Sequence, residues 1–159
     1  MSHVRLANYF DHADARALVS LLDAYARDPA GGGTALAADV LARLPAELAR
    51  RPQAFSVLAF DGDGAVGLIN CFEGFSTFAA RPLVNVHDVV VLPEHRGRRL
   101  TARMLGCVEQ EARRRGACKL TLEVLQGNLP ALRAYERVGF AGYQLGAAMG
   151  SAVFLQKAL

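Results

Sequence analysis

The sequence has no uninterrupted apolar run of the roughly 20 residues that a helix needs to cross a bilayer. Its opening, "MSHVRLANYFDHADARALV", lacks the basic-then-apolar form of a secretory leader, so the expected location is cytoplasmic. Cysteine is scarce. Cys71, Cys107 and Cys118 are odd in number and form no CxxC pair, which gives no disulfide framework. No His/Cys cluster has the spacing of a zinc site, so no metal is expected. The cysteines read as small apolar residues, Cys107 in an amphipathic helix pattern and Cys118 at the start of a strand. Two phosphate-loop signatures, GK[ST] and GxGxxG, are missing as well. No repeat, low-complexity tract or linker divides the 159 residues, which suits one domain over residues 1–159.

What is present is ordinary in bulk: 52% apolar residues, 21% charged residues and a net charge of +3. That charge is too small to argue for nucleic acid, and the arginines come with no aromatic platform or docking motif. Neither a nucleic-acid nor a membrane partner is expected. The oligomeric state, a homodimer included, stays open.

Periodicity predicts an alternating order of elements. Residues 3–9 can form a first strand, and Asp11 can cap a helix whose stripe is Leu18, Leu21, Leu22 and Tyr25, ended by Asp28-Pro29. A glycine-rich loop leads to a second helix with Leu36, Val40, Leu41, Leu44 and Leu48 on one side, kinked or interrupted at Pro45. "FSVLAF", "DGDG" and "AVGLINCF" read as a hairpin, and Leu83 to Val91 as a long, centrally buried strand. Leu100, Met104, Val108 and Ala112 recur every fourth position in a helix that Gly116 can close. "CKLTLEVL" is a further strand. "NLPALRAYERVGF" is a short helix with Pro130 in its first turn, and the tail holds two strand candidates around Gly150. The order β-αα-βββ-α-β-α-ββ is an α+β domain, and its unit from Leu83 to Leu125 should be a right-handed parallel crossover.

One stretch asks for a reason. In "VVVLPEHRGRRLTARML", Arg96, Arg98, Arg99 and Arg103 crowd a helix start, where the backbone is already partly positive and each cation costs about 0.3–1 kcal/mol. A strand that turns through Gly97 into a helix makes an anion site from free N–H groups, and a bound anion would turn these arginines into partners. The plain alternative is that Arg98 and Arg99 are simply solvated.

"VLPEHRGRRLTARML" followed by "NLPALRAYERVGF" resembles the acetyl-CoA-binding core of the GNAT acyltransferase superfamily. The resemblance implies a mixed, mostly antiparallel central sheet with flanking helices and one splayed parallel strand pair. It implies that the amides of Gly97, Arg98, Arg99, Leu100, Thr101 and Ala102, with Arg96, cradle the pyrophosphate of acetyl-CoA. Val89, Val90 and Val91 would bond the pantetheine arm through their backbone, and Asn128 and Tyr135 would lie on the cofactor's other side. Arg99 and Thr101 stand where the family has glycine or alanine, chosen there so that backbone approaches phosphate closely. Such side chains are tolerated where the residue is already helical, and two further arginines can hold phosphate by charge.

The resemblance also suggests chemistry. Tyr135 is the family's acid for the departing thiolate; the competing reading is a core-facing helix aromatic. A strand N–H near Val89 or Val90 could stabilise the oxyanion. "FEGFSTFAARP" with "VNVHDVVV" is similar to the polyamine and diamine acetyltransferase branch, whose Glu-Asp pair is His87-Asp88 here. Consecutive strand residues face opposite ways, so only one of the two should meet the cleft unless a bulge intervenes. Which one is the base stays open; packing for His87 and turn-capping for Asp88 are the plain alternatives, and His3, His12 and His95 read as surface residues. The expected function is acetyl transfer from acetyl-CoA directly to a small amine: a polyamine, diamine, amino acid or aminoglycoside-like compound. A protein amine as acceptor and a non-catalytic acyl-CoA-binding module are the alternatives.

Overall fold

The computed structural model describes residues 2–159, which form two compact units, residues 2–122 and 123–159. In the first unit five strands, β1 (Ser2–Leu6), β2 (Ala54–Asp61), β3 (Gly64–Ser76), β4 (Arg81–Val91) and β5 (Leu120–Leu122), lie in sequence order across one sheet. The first three pairings are antiparallel and β4–β5 is parallel. Two-residue connection between β2 and β3 at Gly62-Asp63 explains their antiparallel pairing. The parallel pair needs a crossover, which α3 (Leu100–Arg114) supplies.

Helices α1 (His12–Arg27) and α2 (Ala38–Ala49) cover one face, where Leu18, Leu21 and Leu48 pack with Ala54, Leu58, Leu68 and Val90. Helix α3 covers the other. A Cβ on Gly67, the neighbour of Leu68, would lie 3.0 Å from Met104 Cε, so the glycine lets α3 sit close to the sheet. The four-residue stripe Leu100, Met104, Val108 and Ala112 is buried as its spacing predicts. Among the described residues no helix is long and apolar enough to cross a membrane.

Asp11 caps α1 by accepting from the amides of Ala13 and Asp14. Asp14, 3% exposed, accepts from both Arg5 terminal nitrogens at 2.6 Å and from the Asn8 amide at 2.8 Å, tying β1 to α1. The Arg5 bond, above all, holds the Asp14 carboxyl below its ordinary range. A depressed carboxyl stabilises the fold fully above its unfolded pKa, and the contribution is lost as pH falls through the folded pKa. Asp14→Ala should therefore cost about 1.5–3 kcal/mol at pH 7, discounted because Arg5 is half-exposed, and much less at pH 3. Urea unfolding of both proteins at the two pH values checks this.

Several expectations need correction. Helix α2 is not interrupted at Pro45 but continues through it to Ala49; it starts at Ala38, after Leu36, and of its apolar stripe only Leu48 is buried. Strand β5 is three residues long, since its ladder with Val84–Val86 ends at Leu122. In the second unit α4 spans Leu129–Glu136 as expected. The two tail strands do not form. One bridge, Gln144 to Ser151, flanks the single turn α5 (Gly146–Met149). Gly146 and Gly150 adopt φ of 68° and 69°, a left-handed setting that interrupts an extended ladder.

Candidate active site

The register between β3 and β4 slips at one point. Asn70 faces Asp88 and Cys71 faces Val86, so His87 is an extra residue with none opposite. This bulge decides where the His87-Asp88 pair points. Asn70 and Phe72 are two apart on β3 and share a face. Asp88 Oδ2 accepts from Asn70 Nδ2 at 3.0 Å, and the exposed His87 ring meets Phe72 edge-on with centroids 5.4 Å apart. Both side chains therefore lie on the α1/α2 face. Tyr25 of α1 is close by: burial first, and then the Asp88 charge, push its hydroxyl above the ordinary range.

Beyond the bulge β4 has a distinctive edge. Strand β5 pairs only as far as Val86, while β3 pairs with β4 to Val91. The Leu92 amide bonds Val66 at 2.9 Å, so by antiparallel alternation Val90 exchanges bonds with Leu68 while Val89 and Val91 turn theirs away from β3. The Val91 carbonyl is indeed met from that side by Arg96 Nε at 3.0 Å. Val89, rather than Val90, is then the residue whose N–H points outward next to the pair.

A 3-10 turn at Pro93–His95 and Gly97, at φ 78°, lead into α3. The first α3 amide bonded back into the helix is Arg103, to the Arg99 carbonyl at 3.1 Å. The amides of Arg99, Leu100, Thr101 and Ala102 precede it and have no acceptor within the helix. Arg99 itself has φ 59° and ψ 19°, so it is left-handed and not helical, whereas Thr101 lies inside the helix. The two departures from the glycine pattern thus differ. Thr101 sits where a side chain is ordinary, and Arg99 keeps a glycine-like backbone at a cost of roughly 1–2 kcal/mol. Arg99→Gly should be neutral to stabilising by up to about 1 kcal/mol, since relief of strain is offset by unfolded-chain entropy. Denaturant unfolding that shows a loss above that amount would contradict the strain.

Three of the four arginines are held by the fold. Arg96 pairs with Asp28 and Arg98 with Asp61, each at 3.0 Å, and Arg103 bonds the Ser2 carbonyl at 2.9 Å. They fasten the loop and α3 to the end of α1, the β2–β3 turn and β1. His95 is half-buried instead of on the surface; its Nδ1 lies 3.4 Å from Asp61 without hydrogen-bond geometry. Arg99 is exposed and enters none of these pairs among the described residues.

In the second unit Asn128 caps α4, its Oδ1 accepting from the Ala131 amide at 3.3 Å. Tyr135 is a buried residue of α4 and meets Phe140 edge-on at 6.0 Å.

A family model described as "Acetyltransferase (GNAT) family" matches residues 18–140, which includes the bulge, the β4 edge, the loop and α4. The chain belongs to the GNAT acetyltransferase family. Over 78 residues it is 38% identical to the streptothricin acetyltransferase of Streptomyces lavendulae, a match that covers 49% of this chain and 41% of that enzyme. The matched part thus spans less than half of that relative's length. A solved structure described as a probable acetyltransferase has a TM-score of 0.79 at 21% identity, covering 98% of this chain and 99% of the other. The GNAT fold is equally plain against AAC(6')-Iy in complex with the bisubstrate analog CoA-S-monomethyl-acetylneamine, with a TM-score of 0.77, 15% identity and coverage of 100% and 99%. An integron cassette protein from the mobile metagenome of Cole Harbour Salt Marsh gives 0.75 at 28% identity, over 96% of this chain and 91% of that one.

Sequence reasoning missed the groups behind Asp88. Asn70, Ser56 and Tyr9 continue from its carboxylate as linked polar groups. Their trace in the sequence is a lone Asn in "GLINCF" and a lone Ser in "AFSVLAF", each among apolar strand residues.

Proposed function

We propose that this GNAT-family chain transfers the acetyl group of acetyl-CoA directly to the primary amine of a small cationic molecule, and that residues 1–159 act as one acetyltransferase domain. The observation that carries the reading is the β4 bulge. It sets an imidazole and a carboxylate side by side, immediately before a strand edge that leads to a helix start with unbonded amides.

In this reading the outward-facing backbone groups of Val89 and Val91 offer the strand edge to the pantetheine arm, while those of Val90, expected there too, are taken by Leu68. The amides of Gly97 through Ala102 receive the pyrophosphate, whose charge suits a helix N-terminus. Arg99 adds an exposed cation there; Arg96 and Arg98 act chiefly by holding the loop. Asp88 attracts the ammonium, and His87 or Asp88 takes its proton so that the nitrogen lone pair can attack the thioester carbon. The Val89 N–H faces the negative charge that grows on the carbonyl oxygen. The carbon–sulfur bond breaks as the amide forms, and Tyr135 protonates the leaving thiolate. The resulting phenolate takes up the second proton that the acylated nitrogen sheds, so one proton in all passes from the base to solvent. Asn128 is assigned to the same cofactor by resemblance.

The acceptor class draws on two supports. The segment before and through the bulge resembles polyamine and diamine acetyltransferases. The curated relative is named for streptothricin, and one structural neighbour holds an acetylneamine analogue. A thiol-release assay with acetyl-CoA and a panel of diamines, polyamines, aminoglycosides, streptothricin and amino acids tests the proposal. Acceptor-dependent release with a multiply charged amine is the expected result. Release with none of them, or with acetyl-CoA alone at an equal rate, would overturn it.

A further inference from the structure

Ser56, Asn70 and Asp88 stand directly opposite one another on β2, β3 and β4. They form a polar row across three strands, on the face that α1 and α2 cover. The flanking rows are Leu58–Leu68–Val90 and Ala54–Phe72–Asn85. Ser56 is 1% exposed and Asn70 is 4% exposed. Tyr9 Oη lies 2.8 Å from Ser56 Oγ, Ser56 Oγ donates to Asn70 Oδ1 at 2.6 Å, and Asn70 Nδ2 donates to Asp88 Oδ2 at 3.0 Å.

Core packing does not call for these groups. Matched apolar residues of similar shape serve a core as well as a bonded polar pair, or better. The row has a definite direction instead. An ionised carboxylate only accepts, so Asn70 presents its NH2 to Asp88 and its carbonyl to Ser56. The single Ser56 proton goes to Asn70, so Tyr9 must donate to Ser56. Burial pushes the Tyr9 hydroxyl above its ordinary range, so it keeps that proton at neutral pH. Every bond in the row then points toward Asp88. The amide in the middle holds its protons, so the row braces the carboxylate and does not conduct.

We propose that Tyr9, Ser56 and Asn70 are positioning residues that hold the Asp88 carboxylate in one orientation, with Oδ2 fixed by Asn70 and Oδ1 left for the ammonium of the acceptor. This rests on the acetyl-transfer reading above. Without Tyr9's hydroxyl, Ser56 is free to turn, Asn70 to flip, and Asp88 to swing.

The test is a double-mutant cycle read in the acceptor KM for a cationic amine. Tyr9→Phe removes a hydroxyl three hydrogen bonds away from Asp88 and should raise KM about 3- to 10-fold, with kcat little changed. Asn70→Leu should raise it about 10- to 100-fold while the melting temperature stays the same or rises. In an Asp88→Asn background Tyr9→Phe should change nothing, because the group it acts through is gone. Equal effects of Tyr9→Phe in both backgrounds would reduce the row to structure and overturn the proposal. A second readout needs no activity: the Asn70 side-chain amide signals in nitrogen-15 spectra should move in both Tyr9→Phe and Asp88→Asn. Signals unmoved by Tyr9→Phe would overturn the row itself. Moved signals, with Asp88→Asn leaving the kinetics of every amine unchanged, would instead locate the failure in the role given to Asp88, and the positioning proposal would fall with it.

Discussion

Tyr135→Phe is expected to lower kcat by about 10²–10⁴-fold, the range of general acid catalysis, with acetyl-CoA binding nearly unchanged. The substitution keeps the ring and its edge contact with Phe140, so packing in α4 is preserved. What is lost is the phenolic hydroxyl, and with it the proton it can give. A coenzyme thiolate expelled without an acid leaves as a bare anion, and that cost falls on the transition state alone. The effect belongs in kcat measured by steady-state thiol release, with the dissociation constant of acetyl-CoA measured separately. An unchanged kcat would leave Tyr135 a packing residue.

The bulge residues should separate into two kinds of defect. Asp88→Asn keeps the shape and removes the charge, so the KM of a cationic acceptor should rise by about 10-fold or more and lose most of its dependence on ionic strength. His87→Ala removes an exposed ring that meets Phe72 in a T-shaped pair, so stability should change little. If the imidazole takes the amine proton, kcat should fall about 10²–10⁴-fold with the acceptor KM held. If kcat survives in His87→Ala and falls in Asp88→Asn, the carboxylate is the base. Full activity in both variants would remove the bulge from the chemistry.

The parts of this molecule that follow local rules were legible in its sequence. The four-residue period of Leu100 to Ala112 specified α3 and its buried stripe, and Asp11 and Asp28-Pro29 marked both ends of α1. The β2–β3 hairpin and the parallel β4–α3–β5 unit could be read because consecutive strands are neighbours in the sheet. What sequence reasoning could not reach depends on pairing. A bulge exists only relative to the opposite strand, so the shared face of His87 and Asp88 was invisible until β3 was in register. The partners of the arginines were hidden for the same reason. Asp28 is 68 residues from Arg96, Asp61 is 37 from Arg98, and Ser2 is 101 from Arg103. The tail shows the converse: it offered two strand candidates around Gly150, but left-handed glycines at 146 and 150 leave a single bridge.

The resolved arginine pairs also alter what a cofactor test should look like. Replacing Arg96 or Arg98 would weaken the loop through Asp28 and Asp61 before any ligand arrives, so the wild-type protein is the proper subject. A ligand that binds only the folded state stabilises it by about 2.7 kcal/mol at a hundredfold excess over its dissociation constant. For a chain of this length that corresponds to a rise in melting temperature of roughly 5–10 °C. Thermal unfolding of the wild-type protein with increasing acetyl-CoA is therefore the direct measurement. A concentration-dependent rise of that size is the predicted result, and no rise at millimolar acetyl-CoA would contradict the assignment of the β4 edge and the α3 loop to the cofactor.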